Sequence, residues 1–294
     1  MMRLDRLFEA GKFVVTVEVE PPKGTRVSEM LERAESLRGL VDAINVTDQQ
    51  SSVMRLGSLA SCHLLKERGI EPVFQLTCRD RNRIALQSDL LSAWALGIEN
   101  VLCLTGDHVS LGDHPQAKPV FDLDSVSLLW TARRLKEGYD LAGNPLQGSP
   151  DFCLGAVVTP EADPLEPQIL KMERKIRAGA QFFQTQAVYD PKAYERFTRE
   201  IEGLKAPILV GIIPLKSAKM ARFMNENIAG IKVPDGVIAE MERAKTREER
   251  RRKSAEICAR IVQAVRPHCQ GIHLMPMGWE DLVPEILELA GINP

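Results

Sequence analysis

The sequence predicts a (β/α)8 barrel, and three observations carry that prediction. Short runs rich in valine, isoleucine and leucine alternate with helical stretches along 294 residues. That is the rhythm of parallel strands joined by crossover helices. Several of these runs are followed at once by polar groups: Leu102-Cys103-Leu104 ends at Thr105-Gly106, and Asp107 comes next. In a barrel such positions form the carboxyl-terminal mouth, where active sites lie. No G-x-G-x-x-G follows the first strand, so a doubly wound open sheet, the alternative with the same rhythm, fits less well.

In chain order, residues 12–20 (KFVVTVEVE) read as a valine-rich strand closed by Pro21-Pro22. Residues 26–40 have helical spacing. Strand two is 43–47 with a helix over 54–68, strand three 72–77 with a helix over 82–95, and strand four 100–104. A long loop follows through Phe121, and Asp124 is placed to N-cap the next helix, which runs to about residue 137. Strand five is 152–158 with a helix over 165–178 ended by Gly179. Strand six is 182–185 with a helix over 192–201, and strand seven 207–213 with a helix near 217–225. Residues 237–266 read as one or two charged helices, 271–274 as strand eight and 280–289 as the last helix. The turn-rich stretch 138–150 fits a loop before strand five. The expectation is one domain over 1–294.

The totals narrow the function classes. A formal net charge of -2 gives no reason to expect nucleic acid or an anionic membrane as partner. Residues 1–11 are charged and do not read as a signal peptide, and no apolar run reaches the roughly 18 residues of a membrane helix. A cytoplasmic location is expected. The six cysteines include no C-x-x-C pair and read as buried free thiols. None of the five histidines is spaced as a metal ligand pair, so no metal is expected. The basic run 243–253 mixes in Glu248 and Glu249 and reads as a solvated helix face.

The strand ends hold the candidate chemistry. Side chains alternate along a strand, so Glu18 and Glu20 share a face. An inward Glu18 with limited water would have a raised pKa and suit general-acid work; a rim glutamate is the competing reading. Strand two ends in Asn45-Val46-Thr47-Asp48-Gln49-Gln50, which suits either a polar ligand or an ordinary turn. Gln75 and Thr77 share a face of strand three, and Gln184-Thr185-Gln186 closes strand six. Amides there can read a heterocycle edge or form a satisfied polar layer. Lys175, on the helix before strand six, would ordinarily be solvated.

Read together, Glu18-Val19-Glu20-Pro21-Pro22, Val46-Thr47, Gln75-Leu76-Thr77-Cys78, Leu104-Thr105-Gly106-Asp107, and Arg174-Lys175-Ile176-Arg177-Ala178-Gly179-Ala180 with Gln184-Thr185-Gln186 resemble methylenetetrahydrofolate reductase in order and spacing. The resemblance runs from about residue 12 to the C-terminus. It implies a barrel holding a flavin, usually FAD, at the strand ends. The implied reaction interconverts 5,10-methylenetetrahydrofolate and 5-methyltetrahydrofolate in one-carbon metabolism and methionine biosynthesis. The resemblance casts Glu18 as general acid, Asp107 as a catalytic and substrate-binding carboxylate near flavin and pterin, and Gln186 as a folate contact. Thr47, Gln75, Thr105, Gly106, Asp107 and Lys175 become flavin contacts, Lys175 at the phosphate end. Gln75 stands where relatives often have histidine, Thr105 replaces a larger residue, and Glu20 replaces an apolar one. Phe121 takes the place of a loop aromatic near the flavin.

These departures leave FMN as the alternative flavin. The electron donor is expected to be NAD(P)H or a partner protein, because the chain looks most like the short, barrel-only bacterial and archaeal branch. A homo-oligomer, or a complex with an electron-transfer subunit, is expected. Two other readings stand beside this one: a pterin-binding barrel methyltransferase, which would purify colourless, and a folate-binding barrel that depends on a partner's redox centre.

Overall fold

The computed structural model describes residues 2–292; Met1, Asn293 and Pro294, at the ends of the expected domain, lie outside the described residues. Eight parallel strands close in sequence order into a barrel. The chain runs α1 (Leu4–Glu9), β1 (Val14–Val19), α2 (Ser28–Ser36), β2 (Ala43–Val46), α3 (Ser58–Glu67), β3 (Pro72–Thr77), α4 (Arg83–Ala95), β4 (Asn100–Leu104) and α5 (Ser125–Lys136). It continues with β5 (Cys153–Val158), α6 (Glu166–Ala178), β6 (Phe182–Ala187), α7 (Pro191–Glu200), β7 (Ile208–Ile212) and α8 (Ala218–Asn227). It ends with α9 (Asp235–Arg243), α10 (Arg247–Val265), β8 (Gly271–Leu274) and α11 (Val283–Leu289).

The helix starts follow local chemistry. Asn82 accepts from the N–H groups of Ile84 and Ala85, and Asp124 accepts from Ser127. Each satisfies donors that a helix N-terminus leaves without partners. Thr246 and Glu249 form a reciprocal capping box that starts α10 afresh. The charged stretch is therefore two helices, and the basic run straddles their break. Its charges lie at the surface, with Arg252 and Lys253 both paired to Glu256.

Inside the barrel the side chains form layers. The lower layer is apolar: Val14, Ala43, Val73, Leu102, Cys153, Phe182 and Leu209 pack together. Gly155 is required here, because a Cβ on it would fall 2.2 Å from the Phe182 ring. Leu4 and Leu7 of α1 close the floor. The charged N-terminal stretch gave no expectation of a helix there. Six residues are too few to signal one by periodicity, and α1 is held by docking rather than by propensity. All six cysteines are buried and free.

Three boundaries shift in ways that shape the site. β1 stops at Val19, which leaves Glu20 beyond the strand. β6 runs two residues further than the apolar run suggests, to Ala187. α3 starts at Ser58 rather than residue 54, because the preceding segment is drawn to the β4–α5 loop. Ser51 N–H donates to Asp107 Oδ2 at 3.1 Å, Met54 N–H donates to Asp113 Oδ1 at 3.0 Å, and Gly112 sits against Ser52. Gln49, Ser51 and Ser52 take left-handed backbone to make this turn.

Candidate active site

A cavity of about 410 Å³ opens at the carboxyl ends of the strands, within the usual range of about 300–1,000 Å³ for ligand pockets. Seven of the eight candidate residues line it: Glu18, Gln75, Thr105, Gly106, Asp107, Lys175 and Gln186. Thr47 does not; it is buried behind the wall, with its Oγ1 unpartnered among the described residues. A second cavity, about 390 Å³, lies at the opposite end of the barrel. Its carboxylates are already engaged, Asp42 with Lys12 at 2.5 Å and Glu71 with Lys66 at 2.9 Å.

One wall is acidic. Glu18 points inward rather than to the rim, and its side chain is 12% exposed. Gln50 Nε2 donates to Oε1 and Gln75 Nε2 to Oε2, both at 3.2 Å, and His273 Nε2 lies 3.7 Å from Oε2. Glu20 turns to the rim and pairs with Arg55 at 2.7 Å. Burial lifts its carboxyl above the ordinary range despite that partner. Asp107 is exposed at the mouth. Its backbone carbonyl accepts from Ser52 Oγ and from Arg79, whose side chain is only 2% exposed. Gly106, at φ +92°, makes the turn that carries Asp107, and a Cβ there would lie 3.1 Å from Thr77 Cβ.

The lining also holds a buried base. Lys175 reaches inward from α6, is 4% exposed, and donates from Nζ to the Val157 carbonyl at 2.6 Å. Burial lowers its pKa from 10.5 to about 8, and the charge of neighbouring Lys171 adds to this. Thr105 does not present its hydroxyl to the cavity alone: Oγ1 accepts the Ser125 N–H that opens α5, at 3.1 Å.

Gln186 is aimed by an irregularity. The β6–β7 register shifts between Gln184 and Ala187, as in the bulges that re-aim side chains beside active sites. Thr185 fills the gap, accepting from Gly211 N–H at 2.8 Å. The polar end of strand two divides its work. Asp48 is spent on Thr77 and Arg81, Gln49 on Arg55, and only Gln50 reaches Glu18. Phe121 stacks on His108 in the loop at 6.4 Å and does not line the cavity.

Gln50 belongs to the polar end of strand two singled out in the sequence; Arg79 and His273 line the cavity without having been singled out for it. Gln50 and Arg79 reach the site through loop conformation, which leaves no periodic trace. His273 carries no metal-pair spacing, and the four residues of β8 are too short a run to show by periodicity which face it takes.

The fold and site define a (β/α)8 barrel whose mouth gathers two carboxylates and a buried lysine in one cavity. The chain belongs to the methylenetetrahydrofolate reductase family, whose model matches residues 3–291. It is 26% identical over 295 residues to a 5,10-methylenetetrahydrofolate reductase of Pectobacterium carotovorum, spanning 97% of this chain and 92% of that one. It is 25% identical to a probable methylenetetrahydrofolate reductase (NADPH) of Caenorhabditis elegans, covering 99% of this chain but 44% of that protein. The chain thus spans less than half the length of that relative and nearly all of the bacterial one. Among solved structures, a Clostridium thermocellum protein described as binding two copies of 5-methyl-5,6,7,8-tetrahydrofolic acid superposes with a TM-score of 0.67 at 16% identity, over 99% of both chains. A 2,3-dimethylmalate lyase superposes at 0.55 and 11% identity, over 99% of this chain and 86% of that one. These two likenesses show the fold. No helix among the described residues is long and apolar enough to cross a membrane.

Proposed function

We propose that this chain is a flavin-dependent reductase that interconverts 5,10-methylenetetrahydrofolate and 5-methyltetrahydrofolate. The observation that carries the reading is the single cavity lined by the carboxylates Glu18 and Asp107 together with the buried Lys175. A substrate that becomes cationic suits the carboxylates, and a phosphate-bearing cofactor suits the lysine.

Three features support a flavin, with FAD the first choice and FMN the alternative. Lys175 is an ammonium held out of water with, among the described residues, only a carbonyl as partner. Gly106 leaves its stretch of wall without a side chain. Thr47 keeps a buried hydroxyl without a partner among the described residues. Lys175 would hold the phosphate end, and Thr47, Gln75, Thr105, Gly106 and Asp107 the remainder. The bound reduced flavin supplies a hydride for the methylene carbon. Glu18 gives its proton to the folate amine that leaves when the five-membered ring opens, and Asp107 offsets the positive charge that then develops on the iminium. Gln186 holds the pterin through its amide.

The electron donor, NAD(P)H or a partner protein, and the cytoplasmic setting belong to the same proposal. The absorbance spectrum of the purified protein, followed by anaerobic additions of NADH, NADPH and 5-methyltetrahydrofolate, tests it. A flavin spectrum bleached by methyltetrahydrofolate is expected. A colourless protein that binds the folate would favour a methyltransferase, and a flavin bleached by folate but by neither nucleotide would assign reduction to a partner.

A further inference from the structure

A band of polar side chains crosses the barrel directly above its apolar floor. Asn45 and Gln184 exchange two hydrogen bonds, Asn45 Nδ2 to Gln184 Oε1 at 3.0 Å and Gln184 Nε2 to Asn45 Oδ1 at 3.2 Å. Gln184 Nε2 also donates to Thr16 Oγ1 at 3.4 Å, and Thr16 Oγ1 lies 2.9 Å from His273 Nδ1. All four residues are at most 3% exposed. Buried polar groups carry a desolvation cost unless partnered. An apolar layer like the one below would fill the same space without that constraint.

The band has a direction. Gln184 Oε1 is taken by Asn45, so its amide nitrogen faces Thr16. Thr16 Oγ1 accepts there and keeps its own hydrogen for His273 Nδ1. In this amide orientation Nδ1 acts as the acceptor, which would put the ring proton on Nε2, the nitrogen 3.7 Å from Glu18 Oε2. We propose that His273 is a positioning residue for Glu18. Its Nε2–H faces the carboxyl group, orients it, and stabilises the carboxylate left when Glu18 has given up its proton. Catalytic hydrogen bonds are often long without substrate and tighten as charge develops. Gln50 and Gln75 donate to the same carboxylate, so the proton donor sits among three N–H groups on three separate elements. This inference rests on the general-acid reading of Glu18.

Long-range proton–nitrogen NMR of the histidine-labelled flavoprotein, with His273→Gln to assign the signal, reads the tautomer directly. An Nε2–H ring is expected; an Nδ1–H ring or an imidazolium at neutral pH overturns the proposal. Single-turnover oxidation of the pre-reduced protein by 5,10-methylenetetrahydrofolate gives the second readout. His273→Leu should slow it about 10- to 100-fold with folate binding and flavin reduction unchanged. His273→Gln, which keeps an N–H aimed at Glu18, should recover most of the rate. A His273→Leu variant at full rate, or Leu and Gln variants equally slow, overturns the positioning role. Glu18→Gln run in parallel separates the two readings. If Glu18→Gln is inactive and His273→Leu is not, only the role of His273 fails; if Glu18→Gln turns over normally, the general-acid reading fails as well.

Discussion

Lys175 Nζ donates to the Val157 carbonyl at 2.6 Å, so a charged side chain from an outer helix ends against an inner strand. At pH 7 this ammonium is buried with no carboxylate within salt-bridge distance among the described residues, and its pKa falls to about 8. The charged form therefore opposes folding. The cost is complete below about pH 8 and is relieved as pH rises towards 10.5, where the unfolded chain also loses the proton. At about 1.4 kcal/mol per pH unit the difference is on the order of 3 kcal/mol. Lys175→Met should raise the melting temperature of the flavin-free protein at pH 7 and flatten its rise between pH 8 and 10.5. The same variant should hold flavin less tightly, at least tenfold by fluorescence titration. A destabilised variant with unchanged flavin affinity would show that the lysine serves the fold.

Asp107 is exposed, and among the described residues its carboxylate is anchored only by the Ser51 N–H. Asparagine can still accept that bond, so Asp107→Asn removes charge while leaving the loop junction in place. We expect oxidation of the reduced protein by methylenetetrahydrofolate to slow by roughly 10- to 100-fold. Reduction of the flavin should change by less, because no cationic iminium develops in that half-reaction. Stopped-flow measurement of the two half-reactions checks this; equal slowing would point to a general disturbance of the mouth.

Some of this site was legible in the residues and some was not, for physical reasons. Strand periodicity groups Glu18 with Glu20 and Gln75 with Thr77; Glu18, Gln75 and Thr77 line the cavity, whereas Glu20 lies past the end of β1. The limits of β3 and β4 match the apolar runs to the residue. Lys175 looked solvated from its type. Yet it lies on the buried stripe of α6 with Met172 and Ala178, three residues to either side, so helical periodicity could have placed it. The link from Glu18 to His273 depends on pairing Thr16 with His273 across the β1–β8 closure, and barrel register is not written in either strand alone. The clasp of Ser51 and Ser52 on Asp107 needs left-handed backbone at non-glycine residues, which sequence patterns do not announce.

Glu18 is held by two amide donors, so its replacement by glutamine can be judged as a loss of chemistry. Glu18→Gln keeps the length and an acceptor oxygen but has no proton of carboxylic acidity. Folate turnover should fall at least about 100-fold, while flavin content and its reduction by the physiological donor persist. Flavin content by absorbance and single turnover with methylenetetrahydrofolate decide the matter. Retained folate reduction would remove the general-acid assignment.

The floor of the barrel sets the stability on which this chemistry depends. Leu4 is fully buried against the apolar layer, and its backbone N–H donates to Asn100 Oδ1 at 3.0 Å. Asn100 in turn donates to Glu71 Oε1 at 2.9 Å, so α1 is tied to β4 by packing and by a buried polar chain. Leu4→Ala removes the packing and leaves the backbone bond. A cost of about 2–5 kcal/mol is expected, read as a lower urea midpoint with unchanged slope. Flavin affinity at low temperature should stay near the parent value, because the cavity lies at the other end of the strands. If flavin affinity fell in step with stability, the floor and the mouth would be coupled through the polar band between them.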